Sequence, residues 1–160
     1  MSARAGHAVA DTADREIIIT RLINAPRELV FEAWTDPRHI DKWFGPQGYI
    51  TKTSSMDLRP GGMWRFVMSG PQGTFPSRVV FQEIVKPALL VYMHGSDIDN
   101  DPDAFHVTVT FEDLGDKTHL TMRSLLPSAE ARNKVVRDFK AIEGGNQTLQ
   151  RLEQHVSTMG

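Results

Sequence analysis

The stretch "IEGGNQTLQRLEQHV", Ile142 to Val156, decides how the rest of the chain is arranged. Ile142, Gly145, Leu149, Leu152 and Val156 recur at steps of three and four. They form one narrow apolar stripe, with Arg151, Glu153 and Gln154 outside it. A helix of this kind needs a single surface to lie on. Gly144-Gly145 interrupts the run, so the C-terminal region is expected to hold a short helix, a break, and then the long helix. Ser128, before Ala129-Glu130-Ala131, is the expected N-cap of the short one.

The surface is supplied by the preceding segments. "FHVTVTFE" (105–112) alternates: Phe105, Val107, Val109 and Phe111 take one face, and His106, Thr108 and Thr110 the other. "THLTMRS" (118–124) does the same with Leu120 and Met122. A hairpin turning at Asp113 to Asp116 pairs Val109 with Leu120 and Val107 with Met122, so both strands are apolar on the same side. Further upstream, "GYITKTSSMDL", "GGMWRFVMS", "TFPSRVVFQEIV" and "ALLVYMH" are strand-length runs separated by Gly and Pro. "REIIITRLI" (15–23) is β-branched and short, a first strand. Between it and the second strand, "PRELVFEAWT" places Leu29, Val30, Ala33 and Trp34 at helical spacing. Asp36-Pro37 breaks that helix and caps a second short one through Ile40 and Trp43, which Gly45-Pro46 ends. The expected fold is α+β: a curved antiparallel sheet of about seven strands, covered on one face and wrapped around the long C-terminal helix, with two short helices after strand one.

At 160 residues the chain fits one domain. Residues 1–14 are expected to be a flexible leader and 15–158 the folded unit. No cysteine is present, which excludes disulfides, thiolate metal sites and cysteine nucleophiles. A formal charge of −2 provides no basic stripe for nucleic acid. No apolar run approaches the ~18 residues of a membrane span, and "MSARAGHAVADTADR" does not have the make-up of a secretory signal. A cytoplasmic location is the expectation.

Reactive signatures are sparse. "SDIDNDPD" carries Asp97, Asp99, Asp101 and Asp103. An EF-hand counted from Asp97 would need Gly and Glu where Pro102 and Thr108 stand. A solvated loop is the reading. No two of the six histidines have HExxH spacing. His106 and His119 fall on the polar sheet face, His39 on the second short helix and His155 near the C-terminus. His94 shares a face with Tyr92 and Leu90 at a strand end, where it would form a polar group on a pocket rim. No nucleophile elbow is present, and Gly61-Gly62 joins two strands rather than a strand and a helix, so neither a nucleotide nor any other cofactor is called for. Trp64, Phe66 and Met68 share a strand face. Phe81 lies on a neighbouring strand, Phe111 and Met122 on the hairpin, and Leu149 and Leu152 on the helix. They line either an aromatic- and Met-rich pocket or a solid core; the residues alone leave both open.

The segments "INAPRELVFEAWTDPRHIDKWFGP", "MDLRPGGMWRF", "VTVTFED" with "THLTMRS", and "EGGNQTLQRLEQHV" resemble the bacterial proteins related to the C-terminal domain of activators of the heat-shock-protein-ninety ATPase. These belong to the START/Bet v 1-like (SRPBCC) helix-grip superfamily. The resemblance covers Arg15 to about Val156. It implies a cavity between sheet and long helix, used across the superfamily for small apolar or aromatic ligands. Trp43 and Phe44 would sit at its mouth, with Tyr92 and His94 nearby. It also implies two alternatives. One is a co-chaperone acting on a chaperone ATPase, although relatives of that type carry an additional N-terminal domain and only about 14 residues precede the first strand here. The other is an enzyme of the cyclase or hydrolase type, which would need His94, Tyr92, Glu83 or Arg65 to point inward. Met and aromatic surface at the grip mouth would also suit a homodimer.

Overall fold

The seven strands form one antiparallel sheet in the order β1-β7-β6-β5-β4-β3-β2, as seen in a computed structural model that describes residues 12–159. They are β1 (Glu16–Ile23), β2 (Ile50–Met56), β3 (Met63–Gly70), β4 (Gly73–Val85), β5 (Leu89–Ser96), β6 (Phe105–Asp113) and β7 (Thr118–Leu125). Two short helices, α1 (Arg27–Thr35) and α2 (Pro37–Ile40), link the two edge strands. Two more, α3 (Ala129–Asp138) and α4 (Ala141–Val156), end the chain. Of the expected leader, residues 1–11 lie outside the described residues; Ala13–Arg15 form a single 3-10 turn. None of the described helices is long and apolar enough to cross a membrane.

The stripe on α4 behaves as its spacing demands. Leu149, Leu152 and Val156 are buried against the sheet, while Ile142, at the stripe's start, is exposed. β1, apolar on both faces, resolves into Ile17, Ile19 and Ile23 inward, with Ile18 and Leu22 outward. Bulges between Thr53 and Ser55 on β2 and between Phe81 and Glu83 on β4 interrupt the register, and bulges of this kind bend a sheet.

Two local expectations require correction. The helix break falls at Phe139–Lys140, where Lys140 adopts a left-handed conformation (φ 51°), and not at Gly144-Gly145, which lie inside α4. Glycine disfavours a helix by only ~1 kcal/mol, so packing can hold it there. The β6–β7 hairpin pairs Val109 with Met122 and Phe111 with Leu120, two residues away from the predicted register. The turn takes up Leu114 to Lys117, with Gly115 at φ 84° and its N–H donated to the Asp113 carboxylate at 2.9 Å. A two-residue slip leaves every side chain on its face, so alternation could not detect it.

Trp43 has a specific structural task. Asp36 caps α2 by accepting the Arg38 N–H at 2.9 Å, and Pro37 follows at the first helical position. Proline has no N–H, so the Ala33 carbonyl loses the partner that α1 would otherwise provide. The fully buried indole N–H of Trp43 donates to that carbonyl at 3.0 Å. Trp43 also meets Trp34 and Phe44 edge-on, with ring centroids 4.9 and 5.6 Å apart.

Candidate functional site

A cavity of about 250 Å³ lies between the sheet and the C-terminal helices. β1 contributes Ile17 and Ile19, β5 Tyr92 and His94, β6 Phe105 and Val107, and β7 Met122 and Ser124. α4 closes the opposite side with Ala141, Gly144, Gly145 and Thr148. Val135 of α3 and Phe139 edge it, and Phe44-Gly45-Pro46 with Met68 complete the wall. Among the described residues, no charged side chain lines it.

The helix wall is open because it is built from small residues. A Cβ at Gly144 would lie 3.5 Å from the Pro46 ring. The Thr148 hydroxyl turns back to the Gly144 carbonyl at 2.8 Å, so it is already satisfied within the helix. The facing loop is held by Arg151, whose Nη1 donates to the carbonyls of Gly45 (2.8 Å) and Pro46 (3.0 Å). Sequence spacing assigns Arg151 to the polar side of α4. That is correct, but the loop after α2 folds over to meet it.

Of the twelve sequence-predicted site residues, Phe44, Met68, Tyr92, His94 and Met122 line the cavity. Trp43, Trp64, Phe66, Phe81, Phe111, Leu149 and Leu152 instead fill the packed core and are absent from the wall. The physical reason is depth: these side chains interdigitate at the α1 end of the grip, leaving the hollow toward α3. Phe105 and Val107 were on the correct face in the alternation pattern. Gly145 lay on the apolar stripe and Ser124 on the face of Leu120 and Met122, but Val135 and Gly144 had no signal as lining residues.

His94 is the most unusual group on the wall. Its ring stacks on Phe105 (centroids 4.9 Å, tilt 29°) and meets Phe66 edge-on at 5.7 Å, with Phe44 at 6.2 Å. Burial among these rings pushes its pKa down to about 4, so the imidazole is neutral at pH 7. Among the described residues it has no hydrogen-bond partner. Burial pushes the Tyr92 phenol well above its ordinary value. The Trp34 indole pulls weakly the other way, through an approach that falls short of hydrogen-bond geometry. The remaining members of the enzyme-type constellation point outward: Glu83 is exposed, and Arg65 lies 3.4 Å from Asp97 at the surface.

Elsewhere, the acidic loop is a structural unit. Asp97 and Asp99 both engage Arg78, at 3.0 and 2.9 Å, and Asp101 accepts the N–H groups of Ser96 and Asp103. The fold also joins two histidines 116 positions apart, which no local spacing could reveal: His39 Nδ1 and His155 Nε2 are 3.0 Å apart. Ligand atoms of Glu32, Asp36 and His39 come within 4.8 Å of one another, but the Asp36 carboxylate is already engaged by Arg38.

The profile of the family described as "Activator of Hsp90 ATPase homolog 1-like protein" matches residues 24–157. A search of curated proteins returns no match. Among solved structures, the chain is similar to a protein from Arthrobacter aurescens (23% identity, TM-score 0.83, covering 92% of this chain and 89% of that one). It is likewise similar to protein Ms6760 from Mycobacterium smegmatis (24%, TM-score 0.82, 94% and 96%) and to protein NE0264 from Nitrosomonas europaea (22%, TM-score 0.81, 92% and 97%). These likenesses establish the helix-grip fold.

Proposed function

Starting from a chain that belongs to the family of Activator of Hsp90 ATPase homolog 1-like proteins, we propose that this protein binds a small apolar ligand between its sheet and its terminal helix. The observation that carries this reading is the 250 Å³ cavity with an uncharged, largely apolar wall. An engineered apolar cavity of about 150 Å³ stays dry and takes up benzene, so a space of this size and lining favours an apolar guest over water. Binding would draw on apolar burial, ~25 cal/mol per Å² before the costs of association. Phe44, Met68, Tyr92, His94 and Met122 are the side chains assigned to contact it.

The test is native mass spectrometry of the protein as purified from cells, followed by titration with small aromatic probes. A co-purifying lipid-like or aromatic mass, or saturable probe binding, supports the reading. Ala141→Phe places a ring at the half-buried cavity wall and should reduce probe binding at least tenfold. Undiminished binding by that variant would move the ligand elsewhere.

A further inference from the structure

We propose that the ligand is an uncharged aromatic molecule with one hydrogen-bonding group, and that His94 is the residue that reads that group. This rests on the cavity being a binding site, and it adds what kind of molecule the site selects.

The uncharged character follows from the wall. Among the described residues, no lysine, arginine, aspartate or glutamate lines the cavity. An ionised ligand would therefore lose its water with nothing of opposite charge to replace it, a heavy cost in such surroundings. The aromatic character follows from Phe44, Tyr92, Phe105 and Phe139, with the thioethers of Met68 and Met122 between them. Such side chains favour flat rings through edge and face contacts.

The single polar group follows from His94. A neutral imidazole offers one donor and one acceptor, and here neither has a protein partner. Its ring lies against Phe105 and Phe66, with its remaining side towards the cavity. The other polar lining groups are less demanding. Thr148 is bonded within its helix; the hydroxyls of Ser124 and Tyr92 have no hydrogen bond among the described residues, but each can rotate towards whatever enters. A ligand hydroxyl or carbonyl set against His94 would satisfy a ring whose donor and acceptor the fold leaves open.

The experiment titrates the full chain at pH 7 with three probes of one shape: naphthalene, 2-naphthol and 2-naphthoate. The expected order is 2-naphthol about tenfold tighter than naphthalene, as one recovered buried hydrogen bond implies, with 2-naphthoate weakest. His94→Phe should abolish the preference for naphthol over naphthalene, whatever it does to the affinity for naphthalene itself. Should that variant misfold, the wild-type His94 ring ¹⁵N resonances decide instead: they should move several times further with 2-naphthol than with naphthalene. Naphthalene binding without a naphthol preference, naphthoate binding tightest, a preference that survives His94→Phe, or equal shifts of the ring resonances with the two probes would each overturn the role of His94 and leave cavity binding standing. If none of the three probes binds, the cavity reading itself falls, and this proposal with it.

Discussion

A methyl group added to Gly145 would lie 3.0 Å from Ile19 Cγ1, so closely does the terminal helix rest on the first strand at that point. A methyl at Gly144, one position earlier, would meet the Pro46 ring at 3.5 Å, an ordinary contact. The two glycines should therefore respond differently to alanine. Gly144→Ala gains helix propensity without a clash and should stabilise the protein by about 0.5–1 kcal/mol in urea unfolding. Gly145→Ala gains the same propensity but forces Ile19 to yield, and should end within about 0.5 kcal/mol of the parent. Equal stabilisation by both would mean that the close approach is not real.

The low pKa of His94 makes stability depend on pH. In the unfolded chain the imidazole binds a proton near its ordinary 6.5; in the folded chain, surrounded by the rings of Phe44, Phe66 and Phe105, it resists until about 4. Between those values the unfolded state holds more protons, so stability falls as pH drops from about 6.5 towards 4 and levels off below. His155, also lowered by burial and by neighbouring His39 and Lys42, adds a loss of the same sign. Glu16 and Asp36, held below the usual carboxylate range by Arg123 and Arg38, add theirs lower still. The contribution of His94 is isolated by comparison with His94→Phe. Between pH 7 and pH 4.5 the difference in unfolding free energy should shift by about 2 kcal/mol in favour of the variant, its open side allowed for. Parallel pH profiles would contradict the neutral, desolvated imidazole.

Trp43→Phe should cost about 2–4 kcal/mol, because it removes volume and leaves the Ala33 carbonyl without a donor. Trp34→Phe is the control. That indole is also buried, but among the described residues its N–H has no hydrogen-bond partner, so only packing is lost. Chemical denaturation should rank Trp43→Phe as the more damaging of the two.

Arg151→Ala removes two donors from the loop that walls the cavity and should cost about 1–3 kcal/mol. The amides of Gln47 and Gly48 should exchange with deuterium faster while those of β6 stay protected. Uniform acceleration across the sheet would assign Arg151 a global role instead.

The grip was legible because two periodicities agree. The three-and-four spacing of Leu149, Leu152 and Val156 and the alternation through Val107, Val109 and Phe111 each name a buried face, and each is buried. Quantities that leave those patterns unchanged were not legible. A slip of two residues in the β6–β7 register preserves every face, so only the geometry of the turn at Gly115 reveals it. Gly144-Gly145 looked like a break because glycine's weak helix propensity is visible in a sequence, whereas Ile19 lying beneath it is not. The boundary between packed core and hollow was hidden for a related reason. Trp64 and Phe44 are both buried aromatics, and which of them faces empty space depends on how deeply side chains from separate strands meet.

The helix α3 has no buried residue, yet its Val135 and the adjoining Phe139 edge the cavity. A segment so thinly anchored should open well before the sheet does. Its amide exchange rate then serves as a built-in gauge: fast while the chamber is vacant, slower once a guest gives Val135 and Phe139 something to rest on.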